Sequence, residues 1–117
     1  PVACLTGDGR FRLMAGELAT ARQFGLHSVR GALVAASLSL IRIKQEKKNY
    51  QSNYGTSLAV QPEKPSNHYF GVPVYQVKDY KNYQKILTEG FSASGPVIIE
   101  ALTDGKEYDE LVLLKNK

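Results

Sequence analysis

Apolar positions along this chain follow two rhythms. Nearly unbroken apolar runs stand at Val2-Ala3-Cys4-Leu5, Pro73-Val74-Tyr75-Gln76-Val77 and Val97-Ile98-Ile99-Glu100-Ala101-Leu102. Glycine, proline or polar residues bound them, as they bound buried strands. Elsewhere the spacing lengthens to that of a helix. Leu13, Ala15, Leu18, Ala19, Ala21 and Phe24 form a stripe that Gly25 ends, with Glu17 near the positive end of the helix. Gly16 inside that stripe disfavours a helix, so a close packing contact is expected there, and Met14 is expected in the core or a pocket wall. A second stripe, Tyr83, Ile86, Leu87 and Phe91, follows Asp79, a good N-cap for a helix over Tyr80 to Phe91.

Ser28 to Val34 is the ambiguous stretch. A strand covered on both faces calls for β-branched residues, yet this one carries Arg30 and Gly31. Ala32 to Ile43 also reads as a helix. Asn49 to Asn67, with Gly55, Pro62 and Pro65, reads as an irregular, mobile excursion, and the prolines keep any helix there short. Alternation of strands and helices predicts an α/β fold: an open, mostly parallel sheet with helices on both faces.

Composition narrows the classes. The chain has 117 residues, 43% of them hydrophobic, which suits a globular core. Net charge is +4, but the densest basic run, Lys44 to Lys48, is interrupted by Gln45 and Glu46 and reads as a solvated face. Nucleic acid is therefore not an expected partner. No apolar run approaches the roughly 20 residues that span a bilayer, and no membrane partner and a cytoplasmic location are expected. Cys4, the single cysteine, is expected to be a buried, inert thiol. His27 and His68 lack neighbours at zinc-site spacing, and Ser37 and Ser39 lack a histidine–carboxylate pair in sequence. The tyrosines between Tyr50 and Tyr83 and the apolar patch Leu111-Val112-Leu113-Leu114 permit a homodimer.

Chemistry concentrates at Thr6-Gly7-Asp8-Gly9-Arg10-Phe11, between the first strand and the first helix. In an open α/β sheet the carboxyl ends of strands are where ligands bind. Two glycines let the backbone turn and approach a phosphate, a helix N-terminus offers N–H groups, and Asp8 can hold a hard cation. An Asp-Gly pair is also a common turn, and with nothing bound Asp8 is a helix cap worth about 0.5–2 kcal/mol.

Gly7-Asp8-Gly9, Gly16-Glu17-Leu18-Ala19-Thr20-Ala21 and Phe24-Gly25-Leu26 together resemble the cofactor motif of the thiamine-diphosphate enzymes, the superfamily of acetolactate synthase, 2-oxo-acid decarboxylases and benzaldehyde lyase. The likeness resumes from Ala36 to Lys48, and again from His68-Tyr69-Phe70-Gly71-Val72 to Gly95-Pro96-Val97-Ile98-Ile99-Glu100. It implies a partial thiamine-diphosphate-binding fold, with Gly7, Asp8, Gly9, Arg10 and Ser37 on the cofactor and Mg2+ held by Asp8 and the Ser37 carbonyl. The family's further metal ligand, an Asn or Asp side chain, falls at Ala35, which has no oxygen to offer; Val34 precedes it. The pattern fails over residues 27–35 and recovers at Ala36 with its spacing intact. A locally altered coding sequence would explain this, and an Asn-Asn or Asn-Asp in another reading frame is the check.

The resemblance implies a C-terminal cofactor-binding domain, truncated within residues 1–117 and cut from a larger protein with N-terminal domains. The family's catalytic glutamate lies on a pyrimidine-binding domain of the partner subunit, so no catalytic residue is assigned, and Glu17 is not that glutamate. Whether the chain takes part in lyase or transferase chemistry is left open. The alternative is a non-enzymatic scaffold or assembly protein on the same α/β fold.

Overall fold

The structure is a computed structural model and describes residues 1–50, 53–58 and 67–109. A five-stranded sheet runs through it in the order β1-β2-β5-β4-β3. The strands are β1 (Val2–Gly7), β2 (Ser28–Val34), β3 (His68–Tyr69), β4 (Val72–Val77) and β5 (Val97–Leu102). All neighbours pair in parallel except β3 with β4, a short antiparallel hairpin. Its turn, Phe70-Gly71, has φ of 51° and 75°. The α/β expectation holds.

β5 is the buried centre, with Val97, Ile98, Ile99 and Glu100 all buried. Alternation along it divides the core into two layers. Val97 and Ile99 join Val29 and Val77 under Tyr83, Ile86 and Leu87 of α4 (Tyr80–Ser92). Ile98 joins Leu18 and Val72 on the other face, beside Phe11 and Tyr69. Fully burying such a side chain contributes roughly 1.5–3 kcal/mol. Helices thus cover both faces. α4 begins as the sequence indicates: Asp79 Oδ1 accepts the Asn82 N–H at 2.9 Å.

β2 is a strand despite Arg30 and Gly31, and helix starts only at α3 (Ser39–Lys47). Arg30 is half-buried. A Cβ on Gly31 would lie 3.0 Å from Leu5 Cδ1 and 3.4 Å from Tyr83 Oη, so the glycine admits these side chains to the sheet. His27 Nε2 and Ser28 Oγ are buried without a partner, both in the stretch where the sequence pattern breaks.

Several expectations are corrected. β1 is a strand but not a buried one: it lies at the sheet edge, Val2 and Leu5 are 66% and 65% exposed, and Cys4 is exposed too. The first helical segment is two helices, α1 (Asp8–Leu13) and α2 (Glu17–Gln23). Between them the N–H groups of Glu17 and Leu18 reach back to the carbonyls of Met14 and Ala15, tight turns that rotate the stripe. Leu18 and Ala21 remain buried, whereas Leu13, Met14 and Phe24 face solvent. Nothing approaches Gly16 within 4 Å of a Cβ, so packing does not explain it. Gly25, at φ 58°, ends α2 as expected: the Gly25 and Leu26 N–H groups cap the Arg22 and Ala21 carbonyls.

Within 49–67, residues 51–52 and 59–66 lie outside the described residues. The described part bridges Ser57 to Ser37 in antiparallel fashion, and Leu38 donates its N–H to the Thr56 carbonyl at 2.8 Å. The apolar patch at 111–114 also lies outside them. No helix among the described residues is long and apolar enough to cross a membrane.

Candidate functional site

Because β1, β2 and β5 are parallel, their carboxyl ends share one edge: Gly7 pairs with Leu33, and Val34 with Leu102. The chain leaves β1 through Asp8, β2 through Ala35 and β5 through Thr103, and these exits surround one open cavity of about 370 Å3. Its lining includes Gly7, Asp8, Gly9, Arg10 and Ser37, the residues singled out in the sequence, now side by side.

Asp8 is 7% exposed. It is the first residue of α1, whose N-cap is Gly7, so the simple capping role expected of it is not what the geometry gives. Its Oδ1 accepts the Gly9 N–H at 2.8 Å, and its Oδ2 accepts the Ala36 N–H at 2.9 Å. Ala36 presents that N–H from a left-handed conformation, φ 54°, which costs an alanine roughly 1–2 kcal/mol. Backbone strain of this kind concentrates at ligand sites. Ser37 Oγ and Ser39 Oγ lie 2.8 Å apart, with Ser39 buried at the start of α3. α3 has no side-chain cap, which leaves its N-terminal end to the cavity.

The donor set suits a diphosphate better than its metal. Gly7 opens onto free space, since a Cβ there would meet nothing within 4 Å. Arg10 is the cation among the described lining residues. For magnesium the chain offers the Asp8 carboxylate, whose oxygens keep lone pairs beyond the N–H bonds, and the Ser37 carbonyl. Ala35 adds only a methyl group to that wall, and magnesium requires oxygen ligands. No group of three or more His, Cys, Asp or Glu side chains among the described residues is arranged to hold a metal.

The structure adds a segment that the sequence did not single out. Thr103, Asp104, Glu107 and Tyr108 line the same cavity. Thr103 extends the β2–β5 pairing by donating its N–H to the Val34 carbonyl at 3.0 Å. Arg42 Nη2 on α3 holds Asp109 Oδ1 at 2.9 Å while Nη1 holds Glu46, and these partners raise the Arg42 pKa above its ordinary value, Glu46 most. The signal was present: Asp104-Gly105 follows β5 as Asp8-Gly9 follows β1.

Beneath the site, Glu100 is 2% exposed on β5. Tyr69 Oη donates to its Oε1 at 3.2 Å and Gln76 Nε2 to its Oε2 at 3.1 Å. Burial, and then the neighbouring carboxylate, raise the Tyr69 pKa.

Residues 1–101 match the family model of the thiamine pyrophosphate enzyme C-terminal TPP-binding domain. Among solved structures, the chain is similar to benzoylformate decarboxylase from Polynucleobacter necessarius, with TM-score 0.79 and 18% identity over 90% of this chain. It is also similar to a thiamine diphosphate-dependent 4-hydroxybenzoylformate decarboxylase from Rhodococcus jostii RHA1, with TM-score 0.74 and 19% identity over 87% of this chain. It spans 20% and 19% of the length of those two chains. No curated protein sequence matches it.

Proposed function

The chain belongs to the family of thiamine pyrophosphate enzyme C-terminal TPP-binding domains, and we propose that its cavity takes the diphosphate end of thiamine diphosphate. Support comes chiefly from one observation, the Asp8–Ala36 hydrogen bond, which ties the Gly-Asp-Gly turn to the Ala35–Ser37 turn at adjacent strand ends. In this reading the backbone of Gly7 and Gly9 and the Arg10 side chain hold the phosphates. A magnesium ion would be held by Asp8 and the Ser37 carbonyl, with Ala35 adding no oxygen.

When bound, thiamine diphosphate supplies the electron sink for making or breaking a carbon–carbon bond next to a carbonyl. This chain's part is binding and orientation. Residues that engage the pyrimidine end come from another domain or subunit, and the substrate belongs to an assembly such as an acetolactate synthase or a 2-oxo-acid decarboxylase.

Calorimetric titration of the purified chain with thiamine diphosphate, with and without magnesium, tests the proposal. Magnesium-dependent heat that vanishes in Asp8→Ala supports it. Absence of heat and of thermal shift at millimolar cofactor supports the second reading, a scaffold on the same fold, which the methyl group at Ala35 favours.

A further inference from the structure

Ala36, at φ 54°, is the strained residue of the site, and its two backbone polar groups are held from different sides. Its N–H goes to Asp8 Oδ2 at 2.9 Å, and its carbonyl accepts the Leu58 N–H at 3.1 Å. Next in the turn, Leu38 donates its N–H to the Thr56 carbonyl at 2.8 Å. A left-handed alanine persists only where its surroundings overdetermine it, and residues 56–58 supply two of these three bonds. Those two bonds flank Ser37 without using it, although Ser37 is the residue bridged to Ser57. Because the peptide planes are trans, the Ser37 N–H and C=O point away from residues 56–58. Ser37 itself lines the cavity.

The stretch leading to these bonds is tied to α3. Asn53 Nδ2 donates to Glu46 Oε1 at 3.0 Å, and Gln45 Nε2 donates to the Tyr54 carbonyl at 2.9 Å. Gly55 then turns the chain at φ 66°, and Thr56 is buried. We propose that residues 53–58 are a positioning brace, which fixes the direction of the Ser37 carbonyl and with it the magnesium dependence of diphosphate binding. The inference rests on the diphosphate reading above, in which that carbonyl is a magnesium ligand. Groups that orient a metal's ligands are worth about 10–100-fold in metal affinity. The brace acts on Ser37, whereas Gly7, Gly9 and Arg10 meet the phosphates from the other turn. Loosening it therefore weakens the metal-dependent part of binding and spares the rest.

Gly55 is the place to loosen it. A Cβ there would meet nothing within 4 Å, so a substitution acts through the backbone alone. Gly55→Val strains the left-handed turn, whereas Gly55→Asn supplies a residue that adopts it. Gln45→Ala, which cuts the bond to Tyr54 and keeps a good helix former in α3, is the second variant should Gly55→Val fold poorly. Inorganic diphosphate is titrated calorimetrically into the full chain in magnesium and in EDTA, and amide hydrogen exchange of Leu38 and Leu58 is followed in parallel. Expected in Gly55→Val and Gln45→Ala are faster exchange of both amides, affinity weaker by about 10-fold or more in magnesium, and unchanged affinity in EDTA. Gly55→Asn should match the wild type in all three. Equal losses in magnesium and in EDTA would make the segment merely structural and overturn the brace. Exchange that does not quicken, or quickened exchange with unchanged affinity in magnesium, overturns it too. In each of these outcomes the wild type still binds diphosphate, and the diphosphate reading stands. A wild type that binds diphosphate in neither medium overturns the brace and the diphosphate reading together.

Discussion

Asp8 Oδ2 accepts the Ala36 backbone N–H at 2.9 Å, joining the exits of two neighbouring parallel strands across 28 residues of chain. With Oδ1 on the Gly9 N–H, the carboxylate fixes both turns of the cavity at once. A buried acceptor serving two backbone donors has a structural part of its own.

Replacing Asp8 should therefore cost stability before any ligand is considered. Asp8→Ala leaves the Ala36 N–H without its acceptor, a loss of roughly 1–3 kcal/mol. Asp8→Asn keeps an acceptor for one of the two donors and should lose less. Urea denaturation of the three chains checks the order, and equal midpoints would contradict it.

What the sequence could and could not reveal follows from where each residue's environment is decided. β5 and the Asp79 cap were readable because the signals are local: a continuous apolar run, and a carboxylate before a periodic stripe. β2 was ambiguous, since Gly31 is accounted for by Leu5 and Tyr83, side chains distant in sequence. β1 looked buried because an apolar run carries no mark of whether its strand lies at the centre or the edge of a sheet. At the cavity, the Gly-Asp-Gly turn was legible, whereas the segment after β5 was marked only by its Asp104-Gly105 pair. Its contacts with Arg42, Ser37 and Ser39 exist only once three strand ends are brought together.

Gly16 offers a test of the break between α1 and α2. Its backbone, φ −59° and ψ −30°, is one that alanine adopts freely, and a Cβ there meets nothing within 4 Å. Gly16→Ala should stabilise the chain by about 0.4–1 kcal/mol, mainly by restricting the unfolded state. A lower melting temperature would show that the turn needs glycine after all.

Glu100 should tolerate amidation better than truncation. Glu100→Ala removes the acceptor for the Tyr69 hydroxyl beneath the site and should cost roughly 1–3 kcal/mol. Glu100→Gln keeps an acceptor, and a flip of the Gln76 amide restores the second bond. Chemical denaturation separates the two, and an equal loss in both variants would make the charge itself the essential feature.

Acid should loosen α4 through Asp79. Hydrogen bonds from the Asn82 N–H and then the Asn82 side chain hold this carboxyl below its ordinary pKa. A folded-state pKa below the unfolded one contributes stability above the unfolded value, about 3.9 for aspartate, and loses it as pH falls through the folded value. Asp79→Ala should thus melt at a lower temperature than wild type near neutral pH. The two curves should converge as pH falls below the ordinary aspartate range. A gap that persists there would assign the effect to helix propensity instead of the ionised cap.

Ala35 is the position at which restoring one oxygen should change the metal chemistry. It lines the cavity between Asp8 and Ser37, where its methyl group offers magnesium nothing. Ala35→Asn adds an amide oxygen on the same wall, and ligand count together with near-octahedral geometry sets magnesium affinity. Loss of an outer-shell partner alone costs metal sites about 10–100-fold, so an inner ligand gained should raise magnesium affinity by at least about 10-fold. Gly105 lies close to this residue, however, and a larger side chain also crowds the turn that carries it. Ala35→Leu reproduces the crowding without the oxygen and is the control. Magnesium-dependent tightening of diphosphate in Ala35→Asn but not in Ala35→Leu would place the metal against this strand end. Equal behaviour of the two would assign the change to crowding of Gly105 and leave Ala35 outside the metal's reach.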